Sequence, residues 1–101
     1  MKLQMHSIHF DADQKLLDYI QKKAEKLDTF YDRITGGEVF LRINKDSALN
    51  ENKIIEIKVS VPGNVLFAKE TSSSFEAAAD EAMEALKGQI KKFKEKQLDR
   101  V

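Results

Sequence analysis

Apolar residues recur along this chain with two periods, and the switches between them mark out six elements. Leu3 and Met5 alternate with polar positions, and Ile8 and Phe10 continue on the opposite parity. Residues 2–10 therefore read as a strand whose slip between His6 and Ser7 predicts a bulge or an early end. Leu16, Leu17, Ile20, Ala24 and Leu27 then recur three or four apart, the spacing of one buried helix face. Asp11 or Asp13 is placed to cap that helix, which ends near residues 28–31.

Gly36-Gly37 punctuates the next turn, after which Val39, Leu41 and Ile43 alternate with Glu38, Phe40 and Arg42 as a half-buried strand. Residues 44–53 are polar and read as a loop. Ile55, Ile57, Val59 and Val61 alternate with Glu56, Lys58 and Ser60 in the plainest strand signal of the chain. Pro62-Gly63-Asn64 turns it back, and residues 65–70 return as a hairpin partner with Leu66 and Ala68 inward. Ser72, Ser73 or Ser74 caps a long final helix. Its inner face runs Phe75, Ala78, Ala79, Ala82, Leu86, Ile90 and Phe93, and the alanines let it lie close to a sheet.

The order β-α-β-β-β-α, with three consecutive antiparallel strands, predicts an α+β two-layer sandwich: a four-stranded sheet with two helices packed on one face. The other face would carry Phe40, Arg42, Glu56, Lys58, Phe67 and Lys69. It is largely polar, but its aromatics Phe40 and Phe67 make it a candidate surface for a protein-interaction module.

A chain of 101 residues makes one domain, large enough for a core and too small for two. The absence of cysteine excludes a disulfide framework, a thiolate metal site and a cysteine nucleophile. The opening MKLQMHSIHF lacks the apolar run of a signal peptide, and no stretch approaches membrane-spanning length, so a cytoplasmic location is expected.

Charge changes the picture more than composition does. The chain balances 17 basic against 17 acidic residues, which conceals a split near its end. Glu70, Glu76, Asp80, Glu81 and Glu84 occupy residues 70–85 with no base among them. Lys87, Lys91, Lys92, Lys94 and Lys96 follow, opposed only by Glu95. Acids at a helix start and bases at its end complement the macrodipole, but that effect fades within the last turn and is worth about 0.3–1 kcal/mol. Lys87 and Lys91 lie too far upstream for it. Two readings stand: a solvated helix face, and a binding face for a polyanion such as RNA.

Enzyme chemistry finds little support. His6 and His9 are three apart on a strand, so regular alternation points them to opposite faces, and no partners at metal-ligand spacing accompany them. Ser72, Ser73 and Ser74 lack the flanking glycines of a nucleophile elbow, and no glycine-rich phosphate loop is present. No catalytic, cofactor-binding or metal-binding residue is expected, and no small-molecule substrate. A small hydrolase on a similar two-layer fold would lack both a nucleophile and a phosphate cradle.

Binding chemistry is better supplied. Lys87, Lys91 and Lys94 fall four and then three apart, one stripe beside the buried face, while Lys92 and Lys96 form a neighbouring stripe. On the first helix Lys15, Lys22 and Lys26 align, with Lys23 adjacent and Asp18 and Glu25 diluting them. Helices side by side on one sheet face would bring the two lysine sets toward one surface. Such a surface binds phosphates in a salt-sensitive, sequence-independent way and suits structured RNA. The competing reading is that these lysines lie over apolar edges and keep the domain soluble.

Two segments resemble a known family. The run KLDTFYDRI (residues 26–34) and the run SFEAAAD (residues 74–80), the latter followed by LKGQIKKFKEK (residues 86–96), are similar to patterns in the ribosome hibernation-promoting factors. These are also called ribosome-associated inhibitors or ribosome-binding sigma-factor modulation proteins. The resemblance covers nearly the whole chain and implies the family's double-stranded-RNA-binding-domain-like fold. It implies a non-enzymatic stationary-phase or stress factor, here one ribosome-binding domain over residues 1–101. Such a factor binds the small ribosomal subunit at the mRNA/tRNA channel, through ribosomal RNA with ribosomal proteins as further contacts, and stores inactive ribosomes.

Carried over by position, the RNA-binding residues are Lys22, Lys23, Lys26 and Arg33 at or beside the first motif. Lys87, Lys91, Lys92, Lys94 and Lys96 fall in or beside the second. The length resembles the short hibernation-promoting form. Three positions depart from the pattern: Gly88 where a base is common, Glu76 for an aromatic and Ser74 for an acid.

Overall fold

Asp13 starts the first helix. Its backbone is extended (φ −64°, ψ 139°) and its Oδ1 accepts the Lys15 amide at 3.0 Å, satisfying an amide that the first turn leaves unpaired. The computed structural model describes residues 1–45 and 52–98. Its elements are β1 (Leu3–Ser7), α1 (Gln14–Phe30), β2 (Gly36–Ile43), β3 (Lys53–Val61), β4 (Asn64–Ser72) and α2 (Phe75–Leu98). Of the expected polar connection over 44–53, residues 46–51 lie outside the described residues; its ends meet where the Asn44 amide donates to the Asn52 carbonyl at 2.8 Å.

The sheet runs in the order β1-β2-β3-β4 and is mixed. β2, β3 and β4 pair antiparallel, as the alternation predicts, while β1 lies parallel to β2 because α1 carries the chain back to the starting end. Met5, Val39, Ile57 and Ala68 are register partners in a row across the inner face. Both helices cover that face. Leu16, Ile20, Ala24 and Leu27 of α1, and Phe75, Ala78, Ala79, Ala82, Leu86 and Ile90 of α2, are buried against the strands. Met83 joins them on the α1 side, and Phe93 packs at the core's edge.

The first strand is shorter than the residues 2–10 that its apolar pattern predicts. It ends at Ser7, the Ile8 amide still reaches the Leu41 carbonyl at 2.9 Å, and His9 then takes a left-handed conformation (φ 63°). β1 thus ends early rather than bulging, one of the two outcomes the slip predicts, and His9 is the turn residue beyond it. It sends Phe10 to the helix layer, where its ring stacks on Phe75 at 5.3 Å. The β3–β4 turn uses Pro62 followed by Gly63 at φ 78°, the residue pair that a type II turn requires. Ser74 is the serine that caps α2: its Oγ accepts the Ala77 amide at 3.1 Å.

Candidate nucleic-acid interface

With Leu16, Ile20, Ala24 and Leu27 buried, the helical period places Tyr19, Lys23, Lys26 and Phe30 on the flank of α1 that faces α2. The matching flank of α2 carries Asp80, Met83, Lys87 and Lys94. Between the two flanks runs an open groove. Its first stretch is walled by Lys23, Lys26, Asp80, Glu84 and Lys87, and its second by Phe30, Glu84, Lys87, Lys91, Lys94 and Glu95. Each stretch is lined by three lysines and two carboxylates, so the charge split of α2 is offset along the groove by Lys23 and Lys26 of α1 at one end and by Glu95 at the other.

The first stretch is occupied by the protein itself. Tyr19 Oη donates to Asp80 Oδ1 at 2.7 Å, and Lys23 Nζ lies 3.3 Å from the same oxygen and 5.5 Å from the Tyr19 ring centre. The Tyr19 hydroxyl holds the Asp80 carboxyl below its ordinary pKa, with Lys23 adding to the effect. The same carboxylate raises the pKa of Tyr19 and of Lys23. These three side chains bridge α1 to α2.

The second stretch is built around Phe30. Lys87 Nζ lies 5.7 Å and Lys94 Nζ 4.9 Å from the centre of its ring, within cation–π range. Lys94 also donates to the Phe30 main-chain carbonyl at 3.0 Å, so this ammonium is held by the end of α1. The ammonium groups of Lys26 and Lys91 make no ion pair or hydrogen bond among the described residues, and both are exposed.

The structure therefore brings Lys23, Lys26, Lys87, Lys91 and Lys94 to one groove and leaves the other expected residues elsewhere. Lys22 is exposed one turn before Lys26 on the outer side of α1, and Arg33 is exposed in the connection that follows this helix. Lys92 and Lys96 project from the opposite flank of α2, beside Asn64, Leu66 and Gln89 near β4. Of the five lysines in that run, only Lys96 falls in the last turn of α2, so dipole complementation does not account for the other four. Tyr19, Phe30 and Asp80 were not expected at the site. Their signal was the i, i+4 spacing of Tyr19 and Lys23 on the face that also holds Phe30.

The outer sheet face is more closed than its sequence suggests. The His6 ring stacks on Phe40 at 4.9 Å with Nε2 3.3 Å from Glu38, and Lys58 Nζ lies 5.8 Å over Phe40. Glu56 sits between Arg42 at 3.6 Å and Lys69 at 3.8 Å. Phe67 and Val65 remain exposed, at 45% and 56%. Among the described residues no three His, Cys, Asp or Glu side chains converge as a metal site needs, and no helix is long and apolar enough to cross a membrane.

Residues 3–98 match the family model described as sigma 54 modulation protein / S30EA ribosomal protein. A ribosome hibernation promotion factor of Deinococcus radiodurans is 30% identical over 92 residues, which is 90% of this chain and 48% of that protein. The chain thus spans about half the length of that relative. A ribosome hibernation promoting factor of Pseudomonas putida is 29% identical, with 96% of this chain and 90% of that protein aligned. Among solved structures, a ribosomal subunit interface protein from Coxiella burnetii superposes with a TM-score of 0.82 at 26% identity, covering 93% of this chain and 98% of that one. The Protein Y N-terminal domain of Thermus thermophilus gives 0.78 at 26% identity, over 92% and 99% of the two chains. The chain belongs to the sigma 54 modulation protein / S30EA ribosomal protein family.

Proposed function

We propose that this chain is a non-enzymatic ribosome hibernation factor of the cytoplasm, with residues 1–101 as one ribosome-binding domain. It binds the small ribosomal subunit at the mRNA/tRNA channel and stores ribosomes in an inactive state. The mechanism is steric: a rigid two-layer domain, held by lysine–phosphate contacts, excludes mRNA and tRNA. One observation carries the reading: around Phe30 the ends of α1 and α2 present Lys26, Lys87 and Lys91 exposed and without a direct ion pair among the described residues, with Asp80, Glu84 and Glu95 nearby along the groove. Exposed, unpaired cations are the groups from which phosphate contact releases counterions. Lys23 and Lys94 line the same groove while also holding the helices together, and Lys22, Arg33, Lys92 and Lys96 would contact RNA from outside it.

Co-sedimentation with purified ribosomes tests this. Wild-type protein should travel with the small subunit, and changing Lys87, Lys91 and Lys92 together to Glu should abolish the association. With about five phosphate contacts the affinity should fall with salt at a logarithmic slope of roughly −3 to −4. Undiminished association of the triple variant, or a flat salt response, would refute the RNA-facing assignment.

A second reading rests on Phe67 and Val65, exposed on the outer sheet face. There the domain would bind a partner protein, with Phe40 contributing less because His6 and Lys58 already cover it. Changing Phe67 to Ser would then remove that partner and leave ribosome association intact.

A further inference from the structure

β4 is an edge of the sheet, and side-chain groups stand in for a neighbouring strand at two successive outward positions. The Gln89 carboxamide takes both main-chain groups of Phe67, donating to its carbonyl at 2.7 Å and accepting its amide at 3.3 Å. Asn64 Oδ1 accepts the Val65 amide at 2.8 Å. Phe67 therefore turns its main-chain groups away from β3, and the alternation of an antiparallel ladder turns those of Lys69 away as well. Neither main-chain group of Lys69 is bonded on that side among the described residues.

The two flanks of this edge differ in chemistry. On the outer face stand Val65 and Phe67, both exposed. On the helix side stand Lys92 and Lys96 of α2, which line a cleft with Asn64, Leu66 and Gln89. Neither lysine forms an ion pair among the described residues. A strand laid along β4 would turn alternate side chains to these flanks, one set to apolar surface and the other to ammonium groups. Lys92 and Lys96 are four residues apart, about 6 Å along a helix. Alternate residues of a strand are separated by roughly 6.6 Å. Two carboxylates two residues apart on such a strand match the two lysines.

We propose that β4 takes up an extended segment of another protein as an added strand, one in which acidic residues alternate with apolar ones. Its main chain replaces Gln89 at Phe67 and bonds Lys69, its apolar residues cover Val65 and Phe67, and its carboxylates pair with Lys92 and Lys96. Gln89 is the latch that holds the edge closed until such a segment arrives. The inference rests on the second reading above, that Phe67 and Val65 bind a partner protein, and adds the chemistry of that partner. A second copy of this chain fits less well, because the helix side of its β4 carries Leu66, Ala68 and Glu70, a single acid.

Titration of the dilute full chain with a short, end-blocked, fluorescein-labelled peptide alternating Glu and Val tests this, read by anisotropy and by amide hydrogen exchange. The peptide should bind and slow exchange of the Lys69 amide about tenfold or more, leaving the Leu66 and Ala68 amides, already turned toward β3, unchanged. Gln89→Ala should tighten binding about threefold by removing the competing carboxamide. Lys92→Ala and Lys96→Ala should each weaken it about threefold, and a peptide alternating Lys and Val should bind about tenfold more weakly or worse. The added strand is overturned if the Glu–Val peptide binds neither wild type nor Gln89→Ala, or if single-stranded RNA rather than the peptide protects the Lys69 amide. If Phe67→Ser abolishes peptide binding while Gln89→Ala and the Lys69 amide show no effect, the added strand fails and the outer-face reading stands. If binding and Lys69 protection survive Phe67→Ser undiminished, the outer-face reading fails, and the apolar half of the inference with it.

Discussion

The ammonium of Lys94, on α2, donates to the main-chain carbonyl of Phe30, the last residue of α1, at 3.0 Å. The last carbonyls of a helix lack intrahelical partners and carry its negative pole. The last turn of α1 contains no base of its own, so the neighbouring helix supplies one. Lys94→Ala should therefore destabilise the fold by about 1–2 kcal/mol, as expected for a charge-assisted hydrogen bond at a helix terminus. Lys94→Met, which keeps the apolar stem over Phe30, should recover part of that loss. Urea midpoints would register both changes. Ribosome affinity should suffer less from Lys94→Ala than from Lys91→Ala, because the Lys94 charge is already engaged; the reverse ranking would mean that Lys94 serves RNA rather than the fold.

Tyr19, Asp80 and Lys23 give the helix pair a pH window. The carboxyl of Asp80 is held below its ordinary value, so its contribution is fully present above the unfolded pKa of about 3.9 and disappears as pH falls through the depressed folded value. Tyr19 and Lys23 are raised, so theirs is present below about pH 10 and is lost as pH rises through the folded values. Stability curves across pH should therefore flatten on the acid side in Asp80→Asn and on the alkaline side in Tyr19→Phe and Lys23→Met. All three groups are solvent-accessible, so the effects are modest. Combining Tyr19→Phe with Asp80→Asn should cost less than the sum of the two; strict additivity would show that the hydroxyl and carboxylate do not interact in solution.

Much of this architecture could be read from period alone. Val39, Leu41, Ile55, Ile57 and Val59 alternate because one sheet face is buried, and all five are buried. The α2 stripe is equally direct. Period says which residues turn inward, but not which element lies beside each flank. Lys87 and Lys92 both follow the buried stripe, yet they face α1 and β4 respectively, which only the packing of α2 decides. The same holds for Lys94, read as an RNA contact and found closing α1, and for Asp80, read as part of a motif and found bonded to Tyr19. The early end of β1 is legible in the slip at His6 and Ser7, but the left-handed turn at His9 beyond it is not, since enrichment of histidine in that region does not single out one position.

Gly36 and Gly37 look equivalent in sequence and are not. A Cβ on Gly37 would stand 2.8 Å from Leu3 Cδ2 and 2.8 Å from the Lys58 carbonyl oxygen, so neighbouring backbone would have to move. At Gly36 the nearest atom, the Lys2 carbonyl oxygen, is 3.6 Å away, an ordinary contact. Gly37→Ala should destabilise by about 1–3 kcal/mol through overpacking at the β1–β2 seam, whereas Gly36→Ala should change stability by less than about 0.5 kcal/mol. Chemical denaturation of the two variants side by side would decide it, and equal effects would contradict the close approach.

β4 ends the sheet, and an edge strand exposes main-chain groups to any other strand that arrives. Here Gln89 of α2 meets that exposure at Phe67: its Nε2 donates to the Phe67 carbonyl at 2.7 Å and its Oε1 accepts the Phe67 amide at 3.3 Å. One amide side chain thus completes both backbone groups of a residue whose ring is exposed beside exposed Val65. Gln89→Ala should lower stability only slightly, by about 1 kcal/mol or less, since water can replace exposed hydrogen bonds. Its larger consequence should be a reopened apolar edge, and so a concentration-dependent rise in apparent mass relative to wild type, followed by light scattering. Adding Phe67→Lys should reverse that rise, because a charge on an edge strand discourages pairing. If Gln89→Ala keeps the wild-type mass up to high concentration, the glutamine is not what keeps this edge from pairing, and Lys92 and Lys96, which line the surface beside it, become the groups to test next.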